Sequence, residues 1–251
     1  MVLRSTLFYY LLIAPHVLLV GLLVALHVRK LRLRHPIFFT FVAYEILIFP
    51  VVCYLVFSKS ITTDQYWRRY IVFLVGSVCL RFGVIYELFS NLSKTYPSLG
   101  KFTRYLFRAM VTIFLFIALS LVAFSWPGNL NIFNRFITYV LDRGVNLLQL
   151  ALLLTLFGIA KFFGLSWRKY VFGITLGFAI YLSVQLIATA VEAQWGYMKV
   201  FDYLTMAAFH VSVVVWLLYV LVPEQKPILT SVLEHADMKE WTSELEKLIK
   251  K

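Results

Sequence analysis

Two opposite charges stand inside long apolar runs of the chain. Glu45 lies in the run 36–58, and Arg81 lies in the next run, 67–90. Counted from the joint between these runs, both lie about thirteen or fourteen residues deep, so neighbouring antiparallel helices would bring them to one level. A charge facing lipid costs at least ~2.5 kcal/mol, which favours an internal partner. The spacing therefore predicts a buried ion pair that either fixes the register of two helices or serves as a gate or proton-linked site.

A second polar group marks the same end of the fifth and sixth apolar runs. Its members are Asp142, Arg143, Asn146, Gln149, Gln185 and Glu192. Side chains at these spacings would line an outward-facing crevice whose floor is formed by Glu45 and Arg81. If the protein binds a small ligand, we expect it there. The alternative is a cluster of charges hydrated among the lipid head groups, where long side chains reach water at low cost.

Two histidines lie at similar depth near opposite ends of the chain. His16 is about ten residues into the first apolar run and His210 is about ten residues into the last, and these two helices often neighbour each other in a bundle. A b-type heme held by two imidazoles requires such a pair. The alternative is two hydrogen-bonded histidines in the core, which is the commoner reason for a histidine at membrane depth.

Seven apolar runs, each long enough to cross the hydrocarbon of a bilayer, position these side chains. They are 6–28, 36–58, 67–90, 104–125, 136–163, 169–191 and 200–221. Hydrophobic residues make up 61% of the 251 positions and stand in long runs rather than in alternation, which excludes an ordinary soluble domain. The chain is therefore predicted to be an all-α, polytopic membrane protein, with seven transmembrane helices in residues 1–222.

Basic residues in the joints set the predicted orientation. The joints on one side carry most of them: Arg29, Lys30, Arg32 and Arg34, then Lys94, Lys101, Arg104 and Arg108, then Lys161, Arg168 and Lys169, and finally the lysines of the tail. This bias predicts an N-terminus outside and a C-terminus in the cytoplasm. Orientation and anionic head groups account for the net charge of +12, and no nucleic-acid partner is expected.

Residues 223–251 lack the apolar character of the preceding run. They predict a short amphipathic helix, whose apolar side carries Val232, Leu233, Trp241, Leu245 and Leu248. Such a helix either lies on the membrane surface or docks a membrane or cytoplasmic protein partner. At about 20 residues, it is too short to be an effector domain.

One pair of glycines predicts a close helix contact. Gly173 and Gly177 stand four residues apart in the sixth run. This GxxxG spacing lets another helix approach closely, because no side chain stands between the two backbones.

The motifs of several seven-helix and catalytic proteins are missing from the sequence. The run 200–221 has no lysine for a retinal Schiff base, and no GxSxG, HExxH or P-loop occurs. These absences argue against an enzyme and leave open only a catalytic site assembled from scattered residues.

Three segments carry a resemblance: RFGVIYELFSNLSKTYPSLGKFTR, LDRGVNLLQLALLLTLFGIAKFFGLSWRKYVFGITLGF and WLLYVLVPE. The chain resembles a group of uncharacterised seven-helix integral membrane proteins that is abundant in acidobacterial genomes. Glu87, Tyr96, Pro97, Trp167 and Arg168 match the pattern of this group. The resemblance implies a multi-pass protein of the bacterial inner membrane, and it assigns no chemistry to these residues.

The short joints, the polar crevice and the tail favour a non-enzymatic membrane module. It would sense a small ligand or serve as an accessory subunit of a larger membrane assembly. The alternative is a small-solute or proton-coupled transporter, in which runs one to three and five to seven form two halves with Glu45 and Arg81 at the gate. A b-type heme electron carrier built on His16 and His210 is the third hypothesis.

Overall fold

A computed structural model describes most of the apolar part of the chain. The described residues are 6–58, 63–95, 105, 107–112, 116, 130–162, 169–195 and 198–222. Contacts divide the chain after Leu221, and the helices described below belong to the first unit. The predicted tail helix, 223–251, lies outside the described residues.

Six long α-helices and a short 3-10 turn account for nearly all of the described residues. The elements are α1 (Thr6–Val28), the turn (Leu31–Leu33), α2 (Pro36–Phe57), α3 (Thr63–Thr95), α4 (Leu130–Phe162), α5 (Lys169–Trp195) and α6 (Lys199–Leu221). The described residues of the predicted fourth run are helical too, and the rest of that run lies outside them. The predicted all-α class is thus confirmed for the part of the chain that the structure describes.

Five of these helices are long and apolar enough to cross a membrane: α1, α2, α3, α5 and α6. Their apolar windows span 20 to 23 residues, which matches the ~20 residues that cross the hydrocarbon of a bilayer. In α4, the apolar stretch that is described, Gly144–Ile159, is shorter. The chain is a multi-pass membrane protein.

The six described helices form a closed ring in chain order. Each of the six contacts the next, α6 packs against α1 to close the ring, and α3 also reaches α5 across it. We name the end that holds Thr6 and Lys199 the upper end, and the end that holds Val28 and Leu221 the lower end. At the lower end, Arg29 donates a hydrogen bond from Nη2 to the carbonyl oxygen of Leu221, which ties the first helix to the last.

Apolar side chains fill much of the interior of the ring. α1 contributes Leu19, Leu22 and Leu26, whose spacing of three and four residues places them on one helix face. Trp216 of α6 and Phe178 of α5 are also fully buried. Because lipid tails are as apolar as leucine, close fit between side chains, and not removal from water, holds these helices together.

The glycine pair of α5 packs against two aromatic side chains of α6. A Cβ added at Gly173 would lie 2.8 Å from Cδ2 of Tyr219, and one added at Gly177 would lie 2.6 Å from Cδ1 of Trp216. Trp216 also donates from Nε1 to the carbonyl oxygen of Ile174 at 3.1 Å. The close contact predicted from the GxxxG spacing is therefore confirmed, and its partner is the last helix.

Candidate ligand-binding cavity

A cavity of about 250 Å³ lies inside the ring, between α2, α3, α5 and α6. Its polar lining comes from Glu45, Ser77, Arg81 and Gln185. Most of the remaining lining is aromatic: Phe41, Phe73, Phe178, Tyr181, Phe209 and Trp216. A few polar groups converging in an apolar recess are typical of a small-molecule site.

Glu45 faces this cavity from α2. Ser77 of α3 donates a hydrogen bond from Oγ to Glu45 Oε1 at 2.6 Å, and Oε2 has no donor among the described residues. Arg81 faces the same cavity from α3. The two charges thus share a cavity, as their depths predict. Within the described residues, however, each has its own hydrogen-bond partner and the predicted direct ion pair is not formed.

Arg81 is only 5% exposed, yet much of its hydrogen-bonding capacity is unused. Nη1 donates to Oδ1 of Asn146 on α4 at 3.4 Å, which is long for such a bond. Nε has no acceptor, and neither has Nη2 among the described residues. A guanidinium carries five N–H donors, and leaving buried donors unpaired is costly. The Arg81 side chain is therefore available to an acceptor in the cavity.

Two amide side chains of α4 are buried, and one of them, Asn146, is hydrogen-bonded to Arg81. Asn146 and Gln149 are both 0% exposed. Neither Oε1 nor Nε2 of Gln149 has a hydrogen-bond partner among the described residues. The sequence places both residues in the wall of the crevice. In the structure both are buried and line neither of the two cavities described here, so their part in a crevice stays a prediction.

A second cavity, of about 240 Å³, lies toward the upper end between α5 and α6. Gln185 lines both cavities, and Glu192 lines the second one together with Asp202. Two residues of the predicted crevice are thus brought together at this end. The side chains of Asp142 and Arg143 lie outside the described residues, so their part in the crevice stays a prediction.

Aromatic side chains close the first cavity toward the lower end. The ring centroids of Phe178 and Trp216 are 4.8 Å apart, and those of Phe41 and Phe178 are 5.3 Å apart. Phe38 extends this cluster with its ring 5.5 Å from that of Trp216. These four side chains are at most 2% exposed. They form a packed floor, which separates the charged cavity from the lower end of the bundle.

Ser77 and Asp202 are absent from the sequence prediction. For Ser77 a signal exists, because it precedes Arg81 by four residues and therefore lies on the same face of α3. Asp202 stands in the first turn of α6, where an acidic residue also has an ordinary role beside free backbone amides. The aromatic lining gives no signal, because phenylalanine and tyrosine occur along every run.

The two histidines lie on contacting helices but have different neighbours. His16 hydrogen-bonds from Nδ1 to the carbonyl oxygen of Leu12 at 2.8 Å, and its ring stacks on Phe49 with the centroids 3.7 Å apart. The ring of His210 lies 5.7 Å from that of Tyr10. Neither histidine lines the two cavities described above. A shared heme stays a prediction without a supporting contact.

No protein-family model, no curated protein and no solved structure matches this chain. Its function has to follow from the cavity, the two charges that face it and the helices that hold them.

Proposed function

We propose that this chain is a non-enzymatic membrane sensor that binds a small ligand in the cavity between α2, α3, α5 and α6. In a larger assembly it would act as the ligand-binding accessory subunit. The observation that carries the proposal is a recess with Glu45 and Arg81 on its wall and aromatic side chains around them. In a purely structural ion pair, Glu45 and Arg81 would be fully paired with protein groups. Here both side chains keep hydrogen-bonding capacity that no protein group among the described residues uses.

The packed floor favours sensing over transport. Phe41, Phe178 and Trp216 close the cavity toward the lower end, whereas Gln185 connects its lining with that of the upper cavity. In this conformation the site is closed toward the lower end, so a ligand bound there could pass on only if the floor opened. Binding at the centre of a ring of contacting helices can change their packing and so carry a signal to the lower end.

The proposal predicts that the purified protein retains or binds a small solute in this cavity. Ser77→Leu adds an apolar side chain to the cavity wall and removes the donor to Glu45, so it should weaken binding strongly. Val75→Leu places the same side chain two residues away, at a position that is 47% exposed, and should bind normally. The measurement is native mass spectrometry after purification from the native membrane in mild detergent, followed by thermal shift of each variant with a library of small metabolites.

Two outcomes would contradict ligand binding in this cavity. One is that wild-type protein retains no solute and is stabilised by no compound of the library. The other is that Ser77→Leu binds as well as Val75→Leu, which would place the bound molecule elsewhere.

A transporter is the second candidate, and one observation favours it. The cavity is lined by α2 and α3 from the first three helices and by α5 and α6 from the last three, the arrangement expected for a site between two halves. Transport requires the aromatic floor to open. Uptake of the bound solute into proteoliposomes against its gradient would establish it, whereas binding without uptake supports the sensor.

The proposal includes the membrane topology. Seven spans with the N-terminus outside and the C-terminus in the cytoplasm of a bacterial inner membrane are supported by the basic joints and by the resemblance described above. The amphipathic segment 223–251 would then face the cytoplasm, where it can meet a protein partner. We expect a tag at the C-terminus to be protected from protease in intact spheroplasts, and a tag before Thr6 to be cleaved. Two ends with the same accessibility would overturn this topology.

A further inference from the structure

We propose that the ligand of this cavity is a small zwitterion of amino-acid type, whose carboxylate binds Arg81 and whose ammonium group binds Glu45. This inference rests on the proposed ligand-binding function and names the chemical class of the ligand. The geometry that points to it is a cationic donor and an anionic acceptor on the wall of one cavity, each with hydrogen-bonding capacity left over.

Arg81 supplies the carboxylate site. Its side chain is 5% exposed, and Nη1 is its one nitrogen with a protein acceptor among the described residues, at a long 3.4 Å. Nε is buried without an acceptor. A planar guanidinium with free N–H groups matches a carboxylate, which can accept two hydrogen bonds at once. A buried cation in this state favours any anion small enough to reach it.

Glu45 supplies the ammonium site on the neighbouring helix. Ser77 donates to Oε1 at 2.6 Å, which holds the carboxyl group in position, and Oε2 is left for a donor from the cavity. An ammonium group has three N–H donors and no acceptor, so it complements a carboxylate that already receives one hydrogen bond. Tyr181 and Phe209, whose ring centroids are 5.5 Å apart, also line the cavity, and aromatic rings attract cations.

The balance of charge argues for one ligand that carries both groups. Glu45 and Arg81 have opposite charges, and the cavity lies at membrane depth. A ligand with a single charge would compensate either Glu45 or Arg81. The other residue would then lose its counter-charge in a medium of low dielectric constant, which is costly. A zwitterion compensates both and adds no net charge.

The size of the cavity limits the ligand to a small molecule. Its volume is about 250 Å³, whereas pockets for drug-sized ligands span ~300–1,000 Å³ and an apolar cavity of ~150 Å³ accepts benzene. An amino acid with an apolar side chain is larger than benzene and smaller than a drug-sized ligand, so its size suits this cavity. The remaining lining, which is mostly aromatic, suits such a side chain.

The test compares three matched probes on the full chain in detergent or nanodiscs. Leucine carries both charged groups, 3-methylbutylamine lacks the carboxylate, and 4-methylpentanoate lacks the amine; phenylalanine with its two corresponding analogues gives a second series. We expect the zwitterion of at least one series to bind at least about tenfold more tightly than both of its analogues, because each lost charged hydrogen bond weakens binding by that factor or more. Isothermal titration calorimetry measures the dissociation constants.

Variants locate the two contacts. Arg81→Gln and Glu45→Gln should each reduce the affinity for the zwitterion by at least about tenfold, and Arg108→Gln, at an exposed arginine, should leave it unchanged. Because removal of one buried charge can prevent folding, the probe series on the wild-type protein decides the matter even if neither variant is stable.

The inference is overturned if the amine or the acid alone binds as tightly as the zwitterion, or if the solute retained from the native membrane is not zwitterionic. In either case the ligand-binding function stands, since the cavity still binds a small molecule. If the wild-type protein retains and binds nothing, both proposals fail together.

Discussion

Replacing Gly177 with alanine is expected to lower the free energy of unfolding of the bundle by about 2–4 kcal/mol. The added Cβ would lie 2.6 Å from Cδ1 of Trp216, so α5 and α6 would have to separate or the indole would have to leave its site. Either movement also strains the hydrogen bond from Trp216 to the carbonyl oxygen of Ile174. Denaturant unfolding of the purified protein in detergent, followed by tryptophan fluorescence, measures the loss.

Two other helical glycines serve as matched controls for this prediction. A Cβ at Gly21 or at Gly158 meets nothing within 4 Å. Alanine at these positions should leave stability unchanged or raise it by up to about 1 kcal/mol, because alanine favours the helix over glycine. An unchanged stability for Gly177→Ala would contradict the close approach of α5 and α6, and equal losses at all three positions would show that the cost does not come from Trp216.

The apolar runs of the sequence predict where the helices lie, but they predict the helix lengths only in part. The first run is predicted and observed over the same residues, 6–28. The third is predicted over 67–90 but observed as Thr63–Thr95. The apolar pattern marks only the part of a helix that lies in hydrocarbon, whereas the backbone hydrogen bonds continue into the polar residues on either side. A hydropathy pattern therefore sets a minimum length.

The sequence predicts how deep each residue of the candidate site lies along its helix, but not the side of the helix to which its side chain points. Counting residues from the joint correctly brings Glu45 and Arg81 to one cavity. Counting cannot tell that Asn146 accepts a hydrogen bond from Arg81 and is not among the residues that line that cavity, because successive residues of a helix differ by 100° around its axis. The same limit applies to His16 and His210, whose helices touch while their rings contact different residues. Rotation of a helix is set by its packing partners, which a single sequence does not show.

Glu87 holds the start of α2 from a neighbouring helix. α2 begins at Pro36, which has no backbone N–H. The next two amides, of Ile37 and Phe38, donate to Oε1 and Oε2 of Glu87 at 3.2 and 3.0 Å. The amide of Phe39 donates to the carbonyl oxygen of His35. The first turn of α2 is thus fully hydrogen-bonded, and a carboxylate stands where the helix dipole favours negative charge.

Replacing Glu87 with alanine is expected to lower the free energy of unfolding by about 2–5 kcal/mol, since each of two amides would lose its acceptor at a cost of ~1–3 kcal/mol. Water cannot readily replace the carboxylate, because Phe38 is 0% exposed and Glu87 itself is 7% exposed. Denaturant unfolding measures the total loss. Hydrogen exchange should show faster exchange of the Ile37 and Phe38 amides in the variant than in the wild-type protein.

Two further variants serve as controls. One changes the charge of residue 87 at nearly constant volume, and the other removes a carboxylate elsewhere in the bundle. Glu87→Gln keeps one side-chain oxygen as an acceptor and removes the negative charge. Its free energy of unfolding should therefore lie between those of the wild type and Glu87→Ala. Glu192→Ala removes a carboxylate near the upper end and should cost less than about 1 kcal/mol, as most substitutions away from buried networks do. If Glu87→Ala costs no more than Glu192→Ala, the start of α2 does not depend on Glu87. If Glu87→Gln is as unstable as Glu87→Ala, the negative charge at the helix start, and not the number of acceptors, is what stabilises α2.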